Sequence, residues 1–309
     1  MFLFHPIKSS KAILRSFDFR LQRIEWRLES VQEALGRIEL RHLSARDSNN
    51  LTDHQFRVFS QWGEDGMIQF LLRHVAPENK VFVEFGADAY NYESNTRFLL
   101  TNDNWRGLII DSSERAIAEL KRSRAWELHD LTAVQAFITR ENINELLTQH
   151  GINGEIGLLS IDIDGNDYWV WQAINVIQPV IVIAEYNHRF GPDRAVTIPY
   201  DEKFDRKEAH PSKLYFGASL QALCQLGKAK GYAFVGCNGV NAFFVRADKR
   251  PQVLKELTPA EGFVQGKFGE PFPRNGQTVK LSPEEESAFL QSLDLPLVDV
   301  SNQEFKKPN

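Results

Sequence analysis

Apolar residues recur near the start of the chain with the spacing 4-3-4-3-4-3: Phe17, Leu21, Ile24, Leu28, Val31, Leu35 and Ile38. This spacing places them on one side of a helix, as a heptad seam. Leu21, Leu28 and Leu35 fall at one core position, and Ile24, Val31 and Ile38 at the other. Glu25, Arg27, Glu39 and Arg41 fall at flanking positions, where ion pairs between helices form. The pattern predicts a tail over 1–16 and a coiled-coil helix over 17–43 that joins copies of the chain. A single amphipathic helix is the alternative reading of so short a seam. The polar stretch SARDSNNLTDH that follows is rich in turn formers and predicts a linker over 44–55.

Beyond the linker the period changes. Short Val/Ile/Leu runs alternate with helical patterns: VFVEF (81–85), a helix near 93–102, GLIID (107–111), a helix from 113 to about 124, a weak strand near 126–128, a helix near 139–149, IGLLSID (156–162), a helix near 167–175 and PVIVIAEY (179–186). Unbroken apolar strands alternating with helices require a parallel sheet buried on both faces. After an irregular stretch at 187–214 come the helix SLQALCQLGKAKG, then YAFVGC (232–237) and AFFVRA (242–247). The connection NGVN is too short for anything but an antiparallel pair. The expected fold is therefore α/β: a Rossmann-like, mostly parallel sheet over 56–250, closed by a C-terminal antiparallel hairpin. Residues 251–309 form an extension, in which Ser282 caps the helix PEEESAFLQSL.

Composition narrows the partners. A chain of 309 residues with 42% apolar content builds a sizeable core. A formal charge of −5 gives no electrostatic case for nucleic acid. Two cysteines, Cys224 and Cys237, are too few for a disulfide framework or a zinc site and suit a reducing cytoplasm. No apolar run is long enough to span a bilayer. The start, MFLFHPIKSSKAILRSFDFR, lacks the core of a secretory signal. It is basic and amphipathic, so a cytoplasmic protein touching the inner membrane surface through its N-terminus is one reading, and a frayed terminus the other.

The candidate chemistry lies at the strand ends, where open α/β sheets bind ligands. The first strand ends in Glu84-Phe85-Gly86-Ala87-Asp88. Gly86 allows a sharp turn, but there is no G-x-G-x-x-G and no Lys-Ser/Thr to hold phosphates. Glu84 and Asp88 instead favour a cationic head. Asp111, at the end of the second strand, is placed to accept both hydroxyls of a ribose. A ribose and a cationic head without phosphates describe S-adenosylmethionine, and a hairpin-closed sheet is the shape of class I methyltransferases.

The motifs FSQWGED (59–65), VFVEFGADAYNYESNTRFLL, NWRGLIIDSS and LLSIDIDGND stand in the order found in FkbM-type S-adenosylmethionine-dependent methyltransferases, which the chain resembles over roughly 55–250. AEYN, FGPDRAVTIPYD, YFGASL and NAFFVR tie it more closely to a bacterial subgroup. Ala87-Asp88-Ala89 stands where many methyltransferases have a second glycine. The resemblance implies that Glu84, Gly86 and Asp88 line the methionine end of the cofactor and Asp111 its ribose. Ser60, Gln61 and Asn95 would give supporting contacts, and His129 and Asp130, read as following the third strand, would meet the adenine. The family's usual setting implies a sugar or surface-glycan precursor as acceptor.

The stretch IDIDGND raises a separate question, because three acids lie within six residues. In an extended strand Asp162 and Asp164 share a face. With Glu185 and Asn187 from the next strand end they offer oxygen ligands for Mg²⁺ or a similar cation. Asp167 reads as a helix-start residue. His188, whose ordinary pKa is near neutrality, is the candidate base, with Asp164 second. The long segment 189–216 suits an acceptor pocket or lid, with Arg189, Arg194, Tyr200 and Tyr215 as candidate contacts. Two rivals stand beside this reading: a glycosyltransferase using Asp162-Ile163-Asp164 for a metal and a nucleotide sugar, and a non-catalytic coiled-coil scaffold of the same fold.

Overall fold

A computed structural model describes residues 10–86, 90, 93–267, 269, 271–274 and 277–302. The chain separates into two units, Met1–Arg46 and Asp47–Asn309. The first is helix α1, Ser10–Ser44. Among the described residues no helix is long and apolar enough to cross a membrane.

The second unit alternates helices and strands: α2 Glu64–Val75, β1 Val81–Phe85, α3 Arg97–Asp103, β2 Arg106–Asp111, α4 Glu114–Leu120, α5 Arg124–Leu128, β3 Leu131–Gln135, α6 Ile143–Gln149, β4 Gly154–Ile161, α7 Asp167–Ala173 and β5 Ile177–Glu185. There follow a short strand β6, Val196–Thr197, then α8 Arg206–Ala209, α9 Leu220–Ala229, and the hairpin strands β7 Tyr232–Cys237 and β8 Asn241–Arg246. Among the described residues the main sheet has seven strands in the order β3-β2-β1-β4-β5-β8-β7. β1 pairs in parallel with β2 and β4, whereas β8 is antiparallel to both β5 and β7. This is the expected parallel α/β sheet closed by an antiparallel hairpin.

Period-two side-chain alternation explains the unbroken apolar strands. Val81, Val83 and Phe85 face one core layer and Phe82 the other. On the first side the sheet is covered by Ile143, Tyr168, Trp171, Leu220 and Leu223 from α6, α7 and α9. On the second, Met67, Leu71, Leu99 and Ile117 from α2, α3 and α4 cover it. Local signals set the helix ends. Ser219 caps α9 by accepting from the Ala222 N–H, and Glu64 and Asp65 sit in the first turn of α2, where carboxylates oppose the helix dipole.

Three elements depart from expectation. Residues 124–128, within which the third strand was expected, form helix α5, because Ser123 caps it through the Trp126 N–H. The strand is Leu131–Gln135, at the sheet edge, where only alternate residues are buried. The helix expected from 93 begins at Arg97, because Ser94, Asn95 and Thr96 are drawn to Glu84. The extension also packs on the main unit. Val298–Asp299 pairs with β6, and Phe272 and Leu290 share a cluster with Phe190, Ile198, Leu214 and Tyr215.

Candidate functional site

The strand order reverses between β1 and β4, and the site forms at the carboxyl ends that open there. At Gly86 the backbone turns with φ +74°, and a Cβ would stand 1.5 Å from the Asp162 carbonyl oxygen. The β1 turn thus presses against the end of β4, which only glycine permits.

Glu84 closes β1 and accepts from Ser94 Oγ at 2.8 Å, the Asn95 N–H at 2.8 Å and Thr96 Oγ1 at 2.5 Å. Burial raises its carboxyl, and those three donors oppose the rise. The Asn95 amide also donates to Ser160 Oγ on β4 at 3.1 Å, so one carboxylate fixes the loop and the loop grips the next strand.

The segment before α2 is held in the same way. Asp65 Oδ2 accepts the N–H groups of Val58, Phe59 and Ser60 at 2.7–2.8 Å, and Ser60 Oγ accepts the Asp65 N–H at 3.0 Å. Burial pushes the Asp65 carboxyl up to about 6. Glu64 accepts from Asn238 and Asn241 of the hairpin at 2.7 and 2.9 Å. The Ser-Gln-Trp-Gly-Glu-Asp motif is therefore a bracket joining the site to the hairpin. Ser60 is buried in it, while Gln61 lines the site.

Two clefts meet at Gly86, Asp162, Asp164 and Arg206. One, of about 480 Å³, has Asp111 and Ser113 on one side and the apolar Phe137, Ile138 and Ile163 on the other. The Ser113 N–H donates to Asp111 Oδ1 at 2.6 Å, which fixes that carboxylate at the end of β2. The other cleft, of about 320 Å³, is polar and includes Gln61, Trp62, Glu84, Asn95, Glu185 and His188.

Asp162, Asp164 and Glu185 each bring a carboxylate oxygen within 4.8 Å of the others. They do so by a turn, not by a shared strand face: β4 ends at Ile161, and Asp164 takes φ +55°. Burial, then the neighbouring aspartates, raises Asp162 and Glu185 well above the usual carboxylate range. Glu185 is 9% exposed, and its Oε2 has no hydrogen-bond partner. Asp164 is half in solvent and pairs with Arg206 Nη1 at 2.5 Å. The Arg206 guanidinium lies 4.0 Å over the Phe216 ring and donates to the Lys213 carbonyl. Asp167 accepts the N–H groups of Ile163 and Gly165 at 2.8 and 2.9 Å, so it holds the turn into α7.

Several expected residues stand elsewhere. Asn187 is fully buried. Its amide donates to the carbonyls of Leu214 and Phe216 at 2.9 and 3.0 Å, and its oxygen accepts the Arg189 N–H, so it is a brace and not a cation ligand. His188 lines the polar cleft, but burial and then Arg189 push it down to about 3. It stays neutral and is too weak a base for the role expected of it. His129 and Asp130 precede β3, at the opposite end of the sheet from Gly86, with the Asp130 carbonyl accepting the Gly107 N–H. The residues that do follow β3 are Ala136, Phe137 and Ile138. The exposed Phe137 directly after a strand was the signal that would have found them. Asp88 lies outside the described residues.

In the acceptor segment, Arg189 lines the polar cleft and is paired with Glu286 at 2.6 Å. Tyr200 donates to Glu141, and Tyr215 donates to the Pro296 carbonyl; neither lines the two clefts, nor does Arg194. Arg206, Phe216 and Lys267 stand there instead. Cys224 and Cys237 are unbridged thiols.

No protein-family model matches the chain, and no curated protein matches it. Among solved structures it is similar to an S-adenosylmethionine-dependent methyltransferase from Clostridium acetobutylicum, at 9% identity and TM-score 0.38 over 60% of this chain and 92% of that one. It is also similar to the O-methyltransferase from Bacillus cereus in complex with SAH, at 14% identity and TM-score 0.38 over 70% of this chain and 89% of that one.

Proposed function

We propose that this chain is an S-adenosylmethionine-dependent methyltransferase of the FkbM type that methylates a hydroxyl of a sugar or surface-glycan precursor. The observation that carries the reading is the junction of the two clefts. A cleft with an anchored carboxylate, Asp111, and an apolar wall opens at Gly86 into one rich in carboxylates. The first suits a nucleoside: Asp111 accepts ribose hydroxyls, and Phe137, Ile138 and Ile163 cover the base. The second suits a sulfonium, whose positive charge the acidic lining favours.

In the transfer the acceptor oxygen attacks the methyl carbon. The sulfur–methyl bond breaks, its electron pair stays on sulfur, and the acceptor's proton leaves. Such a reaction needs alignment and a proton acceptor more than covalent help. Neutral His188 can accept a hydrogen bond from the acceptor but cannot keep its proton. Asp164, at the junction and open to solvent, is the group that takes it or passes it to water.

The donor set of Asp162, Asp164 and Glu185 fits a hard divalent cation, being all oxygen and including a buried carboxylate atom without a partner. Such a cation supplies Lewis acidity that lowers the pKa of the acceptor hydroxyl.

One observation favours a second reading. Arg206, Lys207 and Lys213 rim the larger cleft beside Asp162 and Asp164, as a nucleotide-sugar diphosphate would require. Calorimetric titration with S-adenosylmethionine and with UDP-sugars, each with and without Mg²⁺, separates the two. Micromolar binding of S-adenosylmethionine that is lost in Asp111→Ala supports the methyltransferase. Mg²⁺-dependent binding of a UDP-sugar alone overturns it for the glycosyltransferase, and binding of neither overturns it for the scaffold.

A further inference from the structure

Helix α1 carries a continuous apolar seam with nothing on it: Leu14, Phe17, Leu21, Ile24, Leu28, Val31, Leu35 and Ile38 are each between 47% and 68% exposed. At 1.5 Å per residue the 35-residue helix is about 52 Å long, and the seam runs along most of it. The register is unambiguous. Leu14, Leu21, Leu28 and Leu35 are followed after three residues by Phe17, Ile24, Val31 and Ile38, which puts leucine at every a position and mainly β-branched residues at d.

We infer that α1 assembles this chain into a parallel, in-register bundle of three or four copies. The order of the bundle follows from the core. Leucine at a with isoleucine at d packs poorly in a pair of helices and shifts preference to trimers and tetramers. The direction follows from charge. Arg20, Arg27 and Arg41 occupy g positions and Glu25 and Glu39 occupy e positions, with the neutral Ala34 and Gln32 between them. In a parallel bundle each g faces the e five residues further along its neighbour, so Arg20 meets Glu25, Arg27 meets Gln32 and Ala34 meets Glu39. Antiparallel helices would set arginine against arginine and glutamate against glutamate. The occupant of the seam is therefore the same seam on further copies, which brings several candidate sites into one assembly.

The test is the solution mass of the full chain at micromolar concentration, by sedimentation equilibrium. Three or four times 35.4 kDa is the expected result. A monomer or a dimer overturns the inference, as does a monomer that sediments with phosphatidylserine vesicles through its exposed Phe19 and Trp26. Leu28→Glu should give monomers whose main unit melts unchanged. Charge variants test direction without touching the core. Glu25→Arg should lower the association constant at least tenfold, and Arg20→Glu with Glu25→Arg should restore it. Tighter association of Glu25→Arg alone would indicate antiparallel helices and overturn the assignment.

Discussion

Replacing Gly86 by alanine tests the closest backbone approach in the site. The new Cβ would enter the Asp162 carbonyl, and φ +74° adds a strain of about 1–3 kcal/mol on its own. The β1 turn and the β4 end must move apart, so urea denaturation should show a loss of at least that size and calorimetry should show no cofactor binding. A second prediction concerns Asp65. Its carboxyl is raised to about 6 from an ordinary 3.8, so between pH 4 and 6 the folded chain holds a proton that the unfolded chain has lost. The stability this proton confers is complete below pH 4 and gone above pH 6, a decline on the order of 2 kcal/mol. Urea midpoints at pH 4 and pH 7 should show that decline in the wild type and lack it in Asp65→Asn. Gly86, Glu84 and Asp111 were legible in the sequence because each ends a strand whose apolar run is unmistakable. Asn187 and His188 sit one turn further on, where sequence gives the residue type but not the direction of the side chain. The hydrogen bonds of Asn187 to Leu214 and Phe216 depend on a chain segment 27 and 29 residues away.

Elements with two buried faces were readable, and elements with one were not. β4 and β5 declared themselves as unbroken apolar runs, and the hairpin of β7 and β8 by its short connection. β3 did not, because LTAVQ at a sheet edge buries only alternate residues, while Ser123 turned the preceding residues into helix α5. His129 and Asp130 were consequently assigned to the wrong end of the strand. The C-terminal extension gave no chemical signal, yet its helix Pro283–Ser292 sends Glu286 to Arg189 beside the polar cleft. Both side chains are buried, at 5% and 0% exposure. Removing the carboxylate in Glu286→Ala leaves a buried guanidinium without its counter-charge, at a cost of about 3–5 kcal/mol. Thermal melting should show that loss. Limited proteolysis should then cut within 277–302 before the main sheet yields; cleavage of the sheet first would show that the extension does not depend on the pair.

At the scale of the whole molecule the two clefts divide the work, and variants should separate them. Asp111 stands in the larger cleft, held by the Ser113 N–H, and faces no other proposed ligand group. Losing it removes charge-assisted hydrogen bonds to a ribose, so Asp111→Ala should weaken S-adenosylmethionine at least tenfold, about 1.4 kcal/mol or more. Glu185 stands in the smaller cleft, where burial and the neighbouring aspartates raise its carboxyl. Glu185→Gln keeps the shape, removes one negative charge and leaves the nucleoside cleft intact. Its cofactor affinity should therefore fall by less than a factor of three, while any Mg²⁺-induced rise in melting temperature disappears and turnover drops at least a hundredfold. The two variants should recover nothing from each other when mixed, because each cleft is built from one chain. If instead Glu185→Gln abolished cofactor binding and Asp111→Ala spared it, the cofactor would lie the other way round across Gly86. The acceptor would then have to enter past Phe137, and the division of labour between the two clefts would be reversed.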